Sequence, residues 1–217
     1  MSKNIKDRAC IIGASSIIDP RFLENLDKDF LLVACDGGYY HFLKEKLEPD
    51  ILVGDFDTLD ENEIKNPGVI FKLNPIKDDT DTFWAIKYLI SKGYQEIRFY
   101  GCLGQKLDHT LANIQLLAYL KDNKVKAYLY TPDNSSVLFL LRNESISFKK
   151  EAKGKLSVFS YGKEANGVYE TNLKYTLNNA TLTDSVPLGI SNEFIRQTAT
   201  LTVKDGTLLV MAPTNSF

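Results

Sequence analysis

The chain has 217 residues, of which 44% are hydrophobic and 25% charged, and its formal charge is −2 at pH 7. This composition is typical of a soluble globular protein with one large domain or two small ones. The near-neutral charge argues against nucleic acid as the main partner. Residues 1–8 are polar, and no apolar segment has signal-peptide or membrane-spanning length. We therefore expect a cytoplasmic protein without a membrane partner.

The three cysteines, Cys10, Cys35 and Cys102, have no Cys or His partner at zinc-ligand spacing. Each lies in or beside a short apolar run, so we expect small buried side chains rather than disulfides or metal ligands. Unpaired thiols fit a reducing compartment.

The first part of the chain alternates short apolar runs with helical patterns, which predicts a βαβ sheet. The predicted strands are Ala9–Ala14, Phe30–Cys35, Ile51–Val53, Val69–Leu73, Ile97–Tyr100 and Val125–Tyr130. The predicted helices are Gly38–Leu47, Thr82–Ser91 and His109–Asp122.

After the turn-forming residues Thr131 to Asn134, the helical period disappears. Strands are predicted at Ser136–Leu141, Ser145–Phe148, Leu156–Tyr161, Gly167–Tyr169, Leu173–Leu177 and Phe194–Val203, with a hairpin turn at Asp205-Gly206. These short strands indicate an antiparallel sandwich or a partial barrel. The change in pattern predicts two domains, residues 1–133 and 134–217.

Two carboxylates follow the predicted strand Ile51–Val53, in the sequence Gly54-Asp55-Phe56-Asp57. In an extended chain Asp55 and Asp57 would point to the same side, and two such carboxylates repel unless a cation or proton intervenes. The alternative is a solvated turn in which aspartate accepts local hydrogen bonds.

A second acidic group, Asp78-Asp79-Thr80-Asp81, precedes the next predicted helix. Asp78 and Asp81 would share a face if the first helical turn includes both. Helix capping is the alternative, because Asp and Thr are favoured at helix starts. Together the two groups predict an all-oxygen site for a hard divalent cation, Mg²⁺ before Ca²⁺ or zinc.

Two glycine-bearing loops also follow predicted strands, where ligands bind in open α/β sheets. In one loop, Gly104 precedes Lys106, Asp108 and His109. Glycine would let a phosphate approach the backbone closely, Lys106 would add a positive charge, and the start of the following helix would offer free N–H groups. Capping by Asp108 and a structural role for His109 are the alternatives, and the P-loop spacing is missing. The other loop, Asp36-Gly37-Gly38, could equally be a simple tight turn.

These motifs, in this order, resemble the thiamine pyrophosphokinase family. The matching segments are short, but they are spread over nearly the whole chain: Asp36-Gly37-Gly38, Pro49-Asp50 with Gly54–Asp57, Asp78–Asp81, Gly104–Asn113, Leu173–Leu177 and Gly189–Glu193. The resemblance implies a doubly wound α/β catalytic domain, mostly of parallel strands, followed by an all-β antiparallel sandwich domain. It also implies a homodimer with active sites shared between subunits. The implied reaction transfers the pyrophosphoryl group of ATP to the thiamine hydroxyl, giving thiamine diphosphate and AMP.

Carried over to this chain, the resemblance implies a magnesium site at Asp55, Asp57, Asp78 and Asp81. It assigns the nucleotide to two groups of residues: Asp36, Gly37, Gly38 and Thr80, and Gly104, Lys106, Asp108 and His109. Ser191 and Asn192 would contact thiamine. Asp81, as the base, would act with Asp57 and Lys106 in catalysis.

The sequence departs from the family pattern at two places. Thr58 replaces the usual Ser, and Gln105-Lys106 replaces the usual Gly-Arg, which turns a bidentate phosphate contact into a point charge. Three other functions stay open: a diphosphokinase of the same fold acting on another alcohol such as a pterin, a Mg²⁺-dependent nucleotide hydrolase, and a non-catalytic regulator that binds a ligand.

Overall fold

A computed structural model describes residues 7–26, 29–57, 59–65, 67–76 and 78–217. It divides into two compact units, residues 1–133 and 134–217. None of the helices in the described part of the chain has the length and apolar character required to cross a bilayer.

Within the described residues, the first unit contributes six neighbouring sheet strands in the order β6-β5-β1-β2-β3-β4, and adjacent strands are parallel. Parallel strands covered on both faces read as continuous apolar runs, and Ile51–Val53 is fully buried. The strands are β1 (Arg8–Ile12), β2 (Leu31–Cys35), β3 (Ile51–Gly54), β4 (Val69–Lys72), β5 (Glu96–Tyr100) and β6 (Lys126–Tyr130).

The α-helices that the structure describes in this unit are α1 (Leu23–Leu26), α2 (Tyr39–Glu45), α3 (Asp81–Ser91) and α4 (Leu107–Asp122). Phe42 of α2 belongs to a buried cluster with Ile12 of β1 and Leu32 of β2. Successive strand residues point to opposite faces, and α3 contacts β1, β2 and β3. The doubly wound α/β architecture is therefore confirmed, with the carboxyl ends of its strands at one edge.

The second unit contains two antiparallel four-stranded arrangements, β12-β9-β14-β7 and β11-β10-β13-β8. Contacts of β11 with β9, β13 with β7 and β10 with β14 make them the two layers of a sandwich, as expected. The strands are β7 (Ser136–Arg142), β8 (Ser145–Phe148), β9 (Lys155–Ser160), β10 (Glu164–Thr171), β11 (Leu177–Thr183), β12 (Gly189–Glu193), β13 (Ala199–Asp205) and β14 (Thr207–Pro213).

Two predicted strands of the second unit were wrong. Residues 173–176 form a connection with a single bridge from Leu173 to Phe194, and β11 begins only at Leu177. The predicted strand Phe194–Val203 is interrupted, because Arg196 adopts a left-handed backbone with φ 61° and β13 starts at Ala199.

The three cysteines are buried and unpaired, as expected. Burial raises the pKa of Cys102 to about 12, although a backbone hydrogen bond from Gly13 partly opposes it. The thiols are therefore protonated at neutral pH and behave as small apolar side chains.

Candidate active site

Three carboxylates converge where β2 and β3 end. Asp36, Asp55 and Asp57 each present an oxygen, and these oxygens all lie within 4.8 Å of one another. Asp36 and Asp55 are half-buried, whereas Asp57 is exposed. Three carboxylates this close repel one another unless a cation joins them, and their oxygen-only donor set suits a hard divalent ion.

Asp55 and Asp57 are brought together by a left-handed turn and not by extended chain. The strand ends at Gly54, and Phe56 has φ 62° with its side chain buried. The backbone N–H of Asp57 donates to Oδ1 of Asp55 at 3.4 Å. The predicted convergence holds, but the extended geometry was wrong, because burial of Phe56 holds a backbone conformation that is uncommon for a bulky residue.

Asp36 reaches the same point from the neighbouring strand. It also has a left-handed backbone, with φ 43°, at the start of a short 3₁₀ turn over Asp36–Gly38. A Cβ added at Gly54 would lie 3.0 Å from the Cβ of Asp36. The absence of a side chain at Gly54 therefore allows the ends of β2 and β3 to approach closely enough for the carboxylates to meet.

The Asp78–Asp81 segment is arranged differently from the expectation. Helix α3 begins at Asp81, so Asp78 lies before the helix and does not share its first turn. The hydroxyl of Thr80 caps this helix by accepting from the N–H of Phe83 at 3.1 Å. The carboxylate of Asp79 forms an ion pair with Lys87.

The close group of three carboxylates among the described residues does not include Asp78 or Asp81. Asp81 nevertheless lies near the end of β2. The pKa of Cys35 is raised, mainly by burial. Electrostatic interactions with Cys102 and with Asp81 raise it further. Asp81 thus acts electrostatically on the strand that leads to Asp36.

The glycine-bearing loop after β5 leads directly into α4. Gly104 has φ 113°, and its N–H donates to the hydroxyl of Thr110 at 3.0 Å. Lys106 is the N-cap residue of α4 without a side-chain capping bond, and its side chain is exposed. Asp108 and His109 are also exposed, and Asp108 Oδ1 accepts from the N–H of His109 at 2.8 Å. This loop therefore presents an exposed cation at the start of a helix.

Ser191 and Asn192 lie on β12, where the pairing with β9 shifts register between Gly189 and Asn192. Ser191 is exposed and has φ 57°, and its N–H donates to the hydroxyl of Ser157 at 3.0 Å. Asn192 is buried and bonds within its own unit. Of the two predicted thiamine contacts, only Ser191 offers an open side chain.

Sequence reasoning assigned Asp36 to the nucleotide and missed its place beside Asp55 and Asp57. The available signal was that Asp36, like Asp55, directly follows a buried strand. Lys72 at the end of β4 was also missed, and its ammonium lies 5.8 Å from the ring centroid of Phe56. It supplies a cation at the same sheet edge.

Two family models match the chain. One, described as thiamin pyrophosphokinase, catalytic domain, matches residues 22–129, and the other, described as thiamin pyrophosphokinase, vitamin B1 binding domain, matches residues 143–208. A thiamine pyrophosphokinase of Bacillus subtilis is 28% identical over 212 residues, which cover 94% of this chain and 97% of that protein.

Solved structures show the same fold over nearly the whole chain. The Bacillus subtilis thiamine pyrophosphokinase has a TM-score of 0.83 at 25% identity, covering 96% of this chain and 100% of that one. The yeast thiamin pyrophosphokinase has a TM-score of 0.75 at 17% identity, covering 97% and 87%, which shows the fold alone. Because the two family models together span both units, this chain belongs to the thiamine pyrophosphokinase family.

Proposed function

We propose that this chain is a thiamine diphosphokinase, which transfers the pyrophosphoryl group of ATP to the thiamine hydroxyl and releases thiamine diphosphate and AMP. The observation that carries the proposal is the match of both family domains in order. The cluster formed by Asp36, Asp55 and Asp57 supports the proposal, because α/β sheets bind ligands at the carboxyl ends of their strands, where this cluster lies.

The magnesium site of this proposal consists of Asp36, Asp55 and Asp57, whose carboxylates fit a hard cation by donor type and spacing. When bound, Mg²⁺ would neutralise phosphate charge and so allow an anionic nucleotide to approach an acidic surface. Asp78 and Asp81 stay candidates for ligands that complete the site.

The remaining residues of the first unit would position the reacting groups. Lys106 and N–H groups at the start of α4 would contact phosphate oxygens, and Gly104 would permit close approach. The thiamine oxygen forms a bond to the β-phosphorus while the bond from that phosphorus to the oxygen of AMP breaks. AMP takes the electron pair, and Asp81 accepts the proton of the thiamine hydroxyl.

The second unit supplies the thiamine contact of this proposal through Ser191. It also exposes several large apolar side chains, and contact with a partner subunit would remove them from water. These are Tyr175, Val186, Leu188, Ile190 and Ile195. They support a homodimer in which the thiamine segment of one subunit completes the catalytic unit of another. Three protonated, unpaired thiols fit a cytoplasmic location.

The proposal is tested by measuring the consumption of ATP in the presence of Mg²⁺. Three reactions are compared: one with thiamine, one with a hydroxymethyl pterin and one without an added alcohol. We expect consumption that depends on thiamine and stops when the metal is chelated. Faster consumption with the pterin would identify another diphosphokinase, and consumption without any alcohol would identify a hydrolase. Binding of thiamine or ATP without turnover would identify a regulator.

A further inference from the structure

A carboxylate is buried inside the sandwich of the second unit. Glu170, on β10, is only 2% exposed, whereas the other buried residues of that strand, Ala165 and Val168, are apolar. Its Oε2 accepts from Nδ2 of Asn192 at 2.6 Å, and within the described residues Oε1 has no hydrogen-bond partner. Burying a carboxylate with one partner costs free energy, so an apolar residue here would pack more favourably.

The residue that Glu170 contacts uses every hydrogen-bonding position of its side chain. Nδ2 of Asn192 donates to Glu170 and to the carbonyl oxygen of Tyr175, the latter at 2.5 Å. Oδ1 accepts from the N–H of Tyr175 at 3.0 Å and from the N–H of Glu193 at 2.9 Å. An amide has two donors and about two acceptor positions, so Asn192 has none left for a ligand.

Asn192 thereby ties two segments together. The first segment contains Leu173, Lys174 and Tyr175. The second contains Ser191 and Asn192. The N–H of Lys174 also donates to the carbonyl oxygen of Glu193 at 3.0 Å, and Leu173 bridges Phe194. A buried amide therefore anchors the backbone of the two segments that carry the exposed side chains of Tyr175 and Ser191.

Glu170 adds to the hydrogen bonds that specify the orientation of that amide. If the amide turned over, its oxygen would face the carbonyl oxygen of Tyr175, and its NH₂ would face the N–H of Tyr175. An acceptor at Glu170 Oε2 favours the observed orientation, because only Nδ2 can donate to it. The cost of burying the carboxylate is therefore explained if a single orientation of Asn192 is required.

We propose that Glu170 is a positioning residue for the alcohol substrate, which acts by fixing Asn192 and through it the segments that carry Tyr175 and Ser191. This inference rests on the proposed function, since thiamine is the substrate that these segments would contact. Glu170 itself does not touch the substrate.

The test uses variants of Glu170 in the full-length protein. Glu170→Met fills a similar volume without an acceptor, and Glu170→Gln keeps an acceptor for Asn192. Glu164→Gln removes an exposed carboxylate from the same strand and is the matched control. We expect Glu170→Met to raise KM for thiamine about tenfold, as for loss of a buried hydrogen bond, with KM for ATP unchanged. Glu170→Gln should restore KM to within about twofold of the wild type, and the control should not change it.

Amide hydrogen exchange separates this inference from the proposed function. The N–H of Tyr175 donates to Asn192, so Glu170→Met should accelerate its exchange whichever alcohol the enzyme uses. If Glu170→Met does not fold, Glu170→Ala takes its place in both measurements. Unchanged exchange at Tyr175, or equal rises in KM for thiamine and ATP, would overturn the positioning role. Absence of thiamine turnover in the wild type, with accelerated exchange in the variant, would overturn only the proposed substrate.

Discussion

Replacing Asp55 or Asp57 with Asn is expected to lower kcat for thiamine diphosphate formation about a hundredfold or more, because each change removes a charged ligand of the proposed metal. Asn keeps the size of the side chain but binds a hard cation more weakly. The measurement is kcat at saturating ATP, thiamine and Mg²⁺.

The variants should remain folded, since removing one of three carboxylates within 4.8 Å of one another relieves repulsion. Thermal unfolding without metal should therefore show no loss of stability. Asp60→Asn is the matched control, because Asp60 is exposed, lies in the same loop and bonds to the N–H of Asn62 at 2.9 Å. Near-normal turnover of Asp55→Asn or Asp57→Asn would show that the cluster is structural.

The same experiment separates the ligand set expected from the sequence from the one that the geometry favours. Asp36→Asn should lower kcat as strongly as Asp55→Asn, since Asp36 shares the carboxylate cluster and Asn tolerates its left-handed backbone. Asp78 is exposed and lies outside that close group, so a smaller effect is expected for Asp78→Asn. A larger effect at Asp78 than at Asp36 would favour the ligand set taken from the resemblance.

Mixing two impaired variants is expected to restore activity if sites are shared between subunits. Asp55→Asn impairs the catalytic unit, and Asn192→Ala releases the segments that carry Tyr175 and Ser191. In a heterodimer one site combines two intact halves, so random exchange should return about a quarter of wild-type activity. Asn192→Ala is expected to raise KM for thiamine. The assay therefore uses a thiamine concentration well below that raised KM, at which the Asn192→Ala protein alone has low activity.

Subunit exchange must be demonstrated separately, for example by mass spectrometry of differently tagged chains. Each variant carried through the same procedure alone is the control and should stay at its own low activity. If exchange occurs and the mixture is no more active than the average of the two, each active site lies within one chain.

The sequence predicted the first unit well because its strands β1, β2 and β3 are almost entirely buried. Ile51–Val53 is a continuous apolar run, and its strand β3 is paired on both sides, with β2 and β4. The second unit was harder, because β11 (Leu177–Thr183) is rich in Asn and Thr and lacks apolar alternation. Its strand structure depends on pairing with β10, which is not a local property of the sequence.

Some residues of the candidate site could be predicted from the sequence, and others could not. The pair Asp55 and Asp57 was visible because the two residues are near in sequence. Asp36 joins them only because β2 lies beside β3 and Gly54 allows close approach. Asn192 was predicted to contact thiamine, yet it is buried, and Glu170, 22 residues earlier, accepts its hydrogen bond.

The most direct test of pyrophosphoryl transfer is ³¹P NMR of the purified protein with ATP, Mg²⁺ and thiamine. Attack of the thiamine oxygen at the β-phosphorus predicts AMP and thiamine diphosphate in equal amounts, with no ADP. ADP formed in equal amounts with thiamine monophosphate would contradict the account and identify an ordinary kinase. Free phosphate or pyrophosphate appearing at the same rate without thiamine would contradict it as well.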